Sequence, residues 1–227
     1  MDTLVDLQLH VWGSEAVPAH QLIATARNGG CVFIAQDENE IVGFCYGFSA
    51  GEYLFSHLLA VLPKARGQGL GKRLKLAQFD WAREQKFAEL RWTFDPLRVT
   101  NARLNLSLPG ATVAAYHQNY YGSMVDTLNE GDTDRLEVRW PTSEYSPVEK
   151  SKAIPLLRDG KFEPPDRPGE WVTISLPGEY PTGMDKQICL NQLRAGFQWV
   201  FGAGYRGVGF GSEGYLLRPW GESAKAQ

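Results

Sequence analysis

The stretch "LLAVLPKARGQGLGKRLKLAQ", residues 58–78, decides how this chain reads. An apolar run stops at Pro63 and gives way to Gly67, Gly69 and Gly71, set among Lys64, Arg66, Lys72, Arg73 and Lys75. The run before it, "EYLFSHLLAV", has the β-branched and aromatic content of a strand. After it Leu70, Leu74, Ala77 and Trp81 recur at spacings of four, three and four, the apolar stripe of an amphipathic helix over 69–86. The order strand, glycine-rich turn, helix places unpaired amide N–H groups at a helix N-terminus, where the helix dipole also favours anions. Glycine lets the backbone approach an anion with no Cβ in the way. No acidic residue interrupts positions 64–75, so the stretch is a phosphate cradle in outline.

The rest of the chain gives this cluster its weight. The formal net charge is −3, which provides no global attraction to nucleic acid or an anionic membrane, so an anion site has to be made locally. With 43% hydrophobic and 22% charged residues, the 227-residue chain has the composition of a globular protein with one substantial core. Cys31, Cys45 and Cys189 are an odd set without CxxC spacing, and His10, His20, His57 and His117 do not pair at metal-ligand intervals. Neither a disulfide framework nor a metal site is expected. "MDTLVDLQLHVWG" is acidic and has no basic region of a signal peptide, and no run of about 18 apolar residues occurs, so a cytoplasmic protein with no membrane or nucleic-acid partner is expected.

Helices are expected at "DLQLHVWG" and "PAHQLIATARNGG", then a hairpin of "CVFIAQ" and "IVGFCYGF" around "DENE", with strand 53–61 extending it into an antiparallel meander. "ELRWTFDP" alternates Leu90, Trp92 and Phe94 against polar residues and reads as a strand ended by Pro96. A short helix from a Thr100 or Asn101 cap to Pro109 and Gly110 is expected next, then strands near 112–121 and 134–140. Residues 141–182, with "FEPPDRPGEW" and "LPGEYPTG", read as an ordered loop holding one strand at "WVTISL". A helix over 184–203 and a hairpin of "YRGVGF" and "GYLLR" complete the chain.

Three phosphate motifs compete for the glycines. A P-loop would need glycine at Arg66 and a hydroxyl at Arg73, and a dinucleotide fingerprint would need glycine at Lys72 and a parallel βαβ unit in place of a meander. Both fail. The third pattern, R/Q-x-x-G-x-G/A, is met by Arg66, Gly67, Gln68, Gly69, Leu70 and Gly71 after Val61 and Pro63. It resembles the acyl-CoA-binding motif of the GNAT N-acyltransferase superfamily, and the likeness extends over residues 1–140. "LRWTFDPLRVTNARLNLSLPGA" and "NYYG" look most like a branch that includes succinyltransferases accompanying N-acylamino-acid racemases.

The resemblance implies a mixed α/β (α+β), mainly antiparallel sheet with a splayed central strand pair, 53–61 against 89–94, flanked by helices. Residues 1–140 would be the acyl-CoA-binding core, and 141–227 a C-terminal α/β extension packed on the same domain. It further implies that the amides of residues 67–71 hold the CoA pyrophosphate, that Leu59, Ala60 and Val61 pair with the pantetheine arm as a strand would, that Lys72, Arg73 or Lys75 meets the 3′-phosphate, and that Asn101 contacts the arm. The first strand that usually precedes the N-terminal helices has no counterpart here. Nor does the tyrosine that relatives carry after the second splayed strand, where this chain has "NLSLPG".

Acylating an amine needs a base for its proton and a donor for the thiolate. His57, on strand 53–61, is the base by position, or else a satisfied histidine packed beneath the meander. Asp95 is a candidate for binding an ammonium group or opens a turn before Pro96; Tyr121, with Tyr116 and Tyr120 behind it, is a candidate acid or a rim residue; Asn101 is also a plausible helix cap. Trp12, Trp92 and Phe94 are expected in the core. The reading is an acyl-CoA-dependent N-acyltransferase, with acetyl-CoA or succinyl-CoA as cosubstrate and no metal, acting on a small primary amine such as an amino acid. A protein amine, a non-catalytic acyl-CoA sensor and a homodimer are left open.

Overall fold

The computed structural model describes residues 2–14, 16–125, 130–143, 145, 151–158, 161–165, 170–176 and 183–221. They fall into two compact units: Met1–Trp92 with Val125–Leu128 and Trp140–Glu144, and Thr93–Met124 with Asn129–Arg139 and Tyr145–Gln227.

The first unit opens with α1 (Asp2–Trp12) and α2 (Ala19–Arg27). An antiparallel meander follows, made of β1 (Cys31–Asp37), β2 (Glu40–Ala50) and β3 (Tyr53–Val61). A 3-10 turn (Pro63–Ala65), α3 (Leu70–Glu84) and β4 (Glu89–Phe94) come next, and β4 joins the sheet beside β3 in parallel. Strand periodicity divides β2 between two layers. Phe44 and Tyr46 pack with Leu4, Leu7, Val17, Leu22 and Ala60 under α1 and α2, each large side chain contributing roughly 1.5–3 kcal/mol by leaving water. Gly43, Cys45 and Gly47 face α3. A Cβ on Gly43 would lie 3.5 Å from Leu74 Cδ1, and one on Gly47 only 2.8 Å from Gln78 Nε2, so the helix rests directly on the strand.

That contact corrects the expected stripe on α3. The residues buried there are Leu74, Lys75, Gln78 and Ala82, while Leu70, Ala77 and Trp81 are half-buried. The sheet beneath is lined by small residues, which leave room for two long polar side chains.

In the second unit α4 (Val99–Asn105) precedes β5 (Thr112–His117), the short strands β6 (Met124–Val125) and β7 (Glu130–Gly131), and β8 (Arg135–Pro141). Beyond these lie β9 (Ala153–Pro155), β10 (Leu157–Arg158), β11 (Lys161–Phe162), β12 (Trp171–Ile174), α5 (Gly183–Gly202) and the hairpin β13 (Tyr205–Gly211) with β14 (Gly214–Pro219). Strand order is β8-β5-β13-β14-β12-β9, antiparallel except for β12 with β9. Phe197 of α5 packs on Tyr116 and Tyr215.

Three expectations shift here. The helix begins at Val99 and ends at Asn105, so Asn101 lies inside its first turn and does not cap it. β5 ends at His117 because residues 118–121 turn, with Asn119 at φ +49° and its amide bonded to Asp134 Oδ1 at 2.9 Å. The proline-rich region holds β9, β10 and β11 besides the expected strand; the parts of "FEPPDRPGEW" and "LPGEYPTG" at 166–169 and 177–182 lie outside the described residues. Among the described residues no helix is long and apolar enough to cross a membrane, and no group of three or more His, Cys, Asp or Glu could hold a metal.

Candidate functional site

β3 and β4 are joined by a short length of sheet. They pair at Tyr53 with Glu89, Leu54 with Leu90 and Phe55 with Arg91. Arg91 braces this base, its guanidinium 3.9 Å from the Tyr53 ring and its Nε 2.6 Å from Glu89 Oε1. Beyond Phe55, β3 continues to Val61 bonded to β2, with no further β4 pairing among the described residues. The backbone from Ser56 to Val61 therefore presents a strand edge of the kind that accepts an extended chain. Leu59, Ala60 and Val61 lie on it, opposite Cys45, Phe44 and Gly43.

A bulge sits at the start of this edge. Ser56 pairs with Gly47 and Leu58 with Tyr46, leaving His57 without an opposite number. The His57 ring lies among Tyr46, Phe48 and Phe55, with centroids 5.9–6.1 Å away. Its Nδ1 is buried with no hydrogen-bond partner among the described residues. Burial lowers its pKa, which leaves the ring neutral at pH 7 and able to accept a proton.

The cradle follows β3. Arg66, Gly67, Gln68 and Gly69 are exposed, and Gly67 and Gly69 take φ +78° and +74°, where a Cβ would meet no atom within 4 Å. The first helical bond runs from the Arg73 amide to the Gly69 carbonyl at 3.0 Å, so the amides of Leu70 and Gly71 precede the ladder and have no intrahelical acceptor. The glycine turn and the amides at the start of α3 fit an anion such as a pyrophosphate. Arg66 Nε donates to the Val61 carbonyl at 3.0 Å, fastening the turn to the strand end, and Lys64 pairs with Glu40. Arg73 is exposed and Lys72 half-buried. Lys75 is 3% exposed and points at the sheet, which removes it from the cations expected at a 3′-phosphate.

The "Acetyltransferase (GNAT) family" model matches residues 1–103. Residues 1–103 are thus similar to the GNAT acetyltransferases. The family consists of acyl-CoA-dependent transferases of the EC 2.3.1 class, with acyl-CoA as cosubstrate. Among solved structures, yncA from Salmonella typhimurium, described as an acetyltransferase with its cofactor acetyl-CoA, is 18% identical over 66% of this chain and 91% of its own, with a TM-score of 0.51. The ribosomal-protein-S18-alanine N-acetyltransferase from Escherichia coli is 18% identical over 66% of this chain and 92% of its own, with a TM-score of 0.50. Aminoglycoside 6′-acetyltransferase type Ii is 17% identical over 64% of this chain and 91% of its own, with a TM-score of 0.52. They share the GNAT fold with this chain. No curated protein matches it significantly.

The remaining candidates belong to the second unit. Asp95 is 5% exposed and its Oδ1 accepts the Leu97 amide at 2.9 Å, the turn-opening geometry anticipated before Pro96, with Arg98 Nε 3.9 Å from Oδ2. Tyr121 stands on the turn after β5, 43% exposed, its hydroxyl 3.3 Å from Thr93 Oγ1 and its ring 5.4 Å from the Arg135 guanidinium. Tyr116 donates to Asp134, and burial together with this contact drives its pKa far up, away from a proton-donor role. Sequence reasoning missed the buried contacts of Lys75, because charge and proximity in sequence grouped this lysine with the cradle cations.

Proposed function

We propose that the chain is an N-acyltransferase that moves an acetyl or succinyl group from acyl-CoA to the primary amine of a small molecule such as an amino acid, by direct transfer in a ternary complex. The observation that carries this reading is the three-residue pairing of β3 with β4, beyond which the edge of β3 has no β4 partner among the described residues and runs to an anion cradle. In this reading the glycine turn and the amides of Leu70 and Gly71 hold the pyrophosphate, Leu59, Ala60 and Val61 pair with the pantetheine arm, and Lys72 and Arg73 face the 3′-phosphate.

His57 is assigned the base. The deprotonated amine attacks the thioester carbonyl, His57 takes the proton released as the amide forms, and the C–S bond breaks to give CoA thiolate, which is protonated on leaving. Asn101 keeps the arm contact that the resemblance implies, and Asp95 and Tyr121 stay the candidates for ammonium recognition and for protonation of the thiolate. Direct transfer is supported by the cysteines. Burial pushes the Cys45 thiol up to about 12 and raises those of Cys31 and Cys189, so none is poised as a nucleophile for a covalent relay.

Native mass spectrometry of freshly purified protein tests the cosubstrate, and thiol release from acetyl-CoA and succinyl-CoA across a panel of amines and peptides tests the reaction. A retained CoA ester and turnover with small amines are expected. Turnover only with peptides would replace the acceptor class, and tight binding with no thiol release from any amine would make the chain a sensor.

A further inference from the structure

Lys75 is buried on the sheet side of α3 with its Nζ 2.6 Å from Ser56 Oγ and 3.9 Å from the centre of the Trp92 ring. Ser56 is the first residue of β3 beyond the parallel pairing and directly precedes the bulge at His57; Trp92 is the first residue of β4 beyond it. One side chain, borne by the helix that carries the cradle, therefore touches both strands at the point where they part. Among the described residues, the groups that the surrounding strands turn toward it are Cys31 from β1, Cys45 from β2, Ser56 from β3 and Trp92 from β4. None is an acid, and burial keeps both thiols protonated.

A helical lysine ordinarily keeps its head in water, and burying one with no carboxylate beside it is costly. Burial lowers its pKa to about 7. Groups held in that condition cluster at functional sites.

We infer that Lys75 is a positioning residue for acyl transfer, which by bonding Ser56 and lying over Trp92 fixes the width of the strand fork and the direction of the His57 bulge. The inference rests on the reading that this fork receives acyl-CoA. Misplacing reacting groups by about 1 Å can cost on the order of a hundredfold in rate, so a tether at the fork acts on turnover more than on binding.

Two variants test it. Lys75→Met keeps an unbranched apolar stem and removes the amine; Ser56→Ala removes only the partner hydroxyl and stands in if the first variant does not fold. Acetyl-CoA affinity by calorimetry, melting temperature, and kcat and KM for thiol release from acetyl-CoA with the amine panel are compared with wild type. Lys75→Met is expected to melt no lower than wild type at pH 7, to bind acetyl-CoA within about threefold, and to lose about ten- to a hundredfold in kcat; Ser56→Ala should lose less. Wild-type kcat in a folded variant that binds normally overturns the inference alone, as does a loss of affinity that merely follows a loss of stability. A wild-type protein that neither binds acetyl-CoA nor releases thiol overturns the acyl-CoA reading and this inference with it.

Discussion

The two sides of the turn from β3 into α3 treat positive charge in opposite ways. Outside, Arg66 and Arg73 are exposed to water, where each contact to an anion is weak. Inside, two positions from Arg73 and roughly 200° around the helix, Lys75 has exchanged water for a hydroxyl and an indole ring. His57, half-buried among three aromatic rings, likewise holds an Nδ1 that finds no partner among the described residues. The proposals above accordingly give basic residues of one short segment different work: the outer ones would attract an anion and the inner one would locate the strands.

The largest effect should come from spoiling the outer side. Gly71→Glu places a carboxylate where the first amides of α3 point and should abolish acetyl-CoA binding while circular dichroism stays native. Gly69→Glu should do the same with some added instability, since Gly69 is in the left-handed region. Wild-type affinity in the Gly71 variant would end the cradle assignment.

On the inner side, His57→Ala should lower kcat by about 10²–10⁴-fold with acetyl-CoA affinity near wild type, and His57→Gln should not rescue it. The rate should fall on the acid side as the ring, with its pKa depressed by burial, takes up a proton. Normal melting with normal turnover in the alanine variant would move the base elsewhere.

Stability against pH should distinguish the two inner bases. Between pH 7 and the usual lysine value near 10.4 the unfolded chain holds a proton on Lys75 that the folded chain has released, so stability should rise with pH through that window, by a few kcal/mol at most. His57, also depressed, should add a rise only below about 6.5. Denaturant titrations from pH 5.5 to 10 should show both rises, and Lys75→Met should erase only the upper one. A wild-type profile flat above pH 7 would mean that Lys75 is not held neutral.

The smallest effect belongs to the outer cations taken singly. Lys72→Ala or Arg73→Ala should each weaken CoA by only about 0.2–1 kcal/mol, and the pair together should weaken CoA more than dephospho-CoA. Equal losses for the two ligands would place both residues away from the 3′-phosphate.

Much of the outer side was legible in the sequence, because glycine and proline impose their own backbone and amphipathic strands show their period. Leu90, Trp92 and Phe94 are buried in alternation as read, and Gly67 and Gly69 take the left-handed turn. The inner side was not. That Lys75 and Gln78 face the sheet depends on Gly43, Cys45, Gly47 and Ser56, distant in sequence and small enough to admit them, while Trp81 finds Phe87 at the margin. The asparagine at 101 looked like a cap, yet the helix starts two residues earlier at Val99. The end of β5 turned on Asp134 reaching back to the amide of Asn119, a partnership no local pattern announces.

Gly43 and Gly47 lie on the same face of β2, yet an added methyl would meet different resistance at each. At position 47 its nearest neighbour is Gln78 Nε2 at 2.8 Å, the end of a side chain that can swing aside at the cost of its contact with Cys31. At position 43 it is the Ala60 carbonyl oxygen at 2.9 Å, backbone of β3 with no such freedom. Alanine at 43 would therefore press on the strand edge itself, whereas alanine at 47 would cost mainly the glutamine's hold on β1.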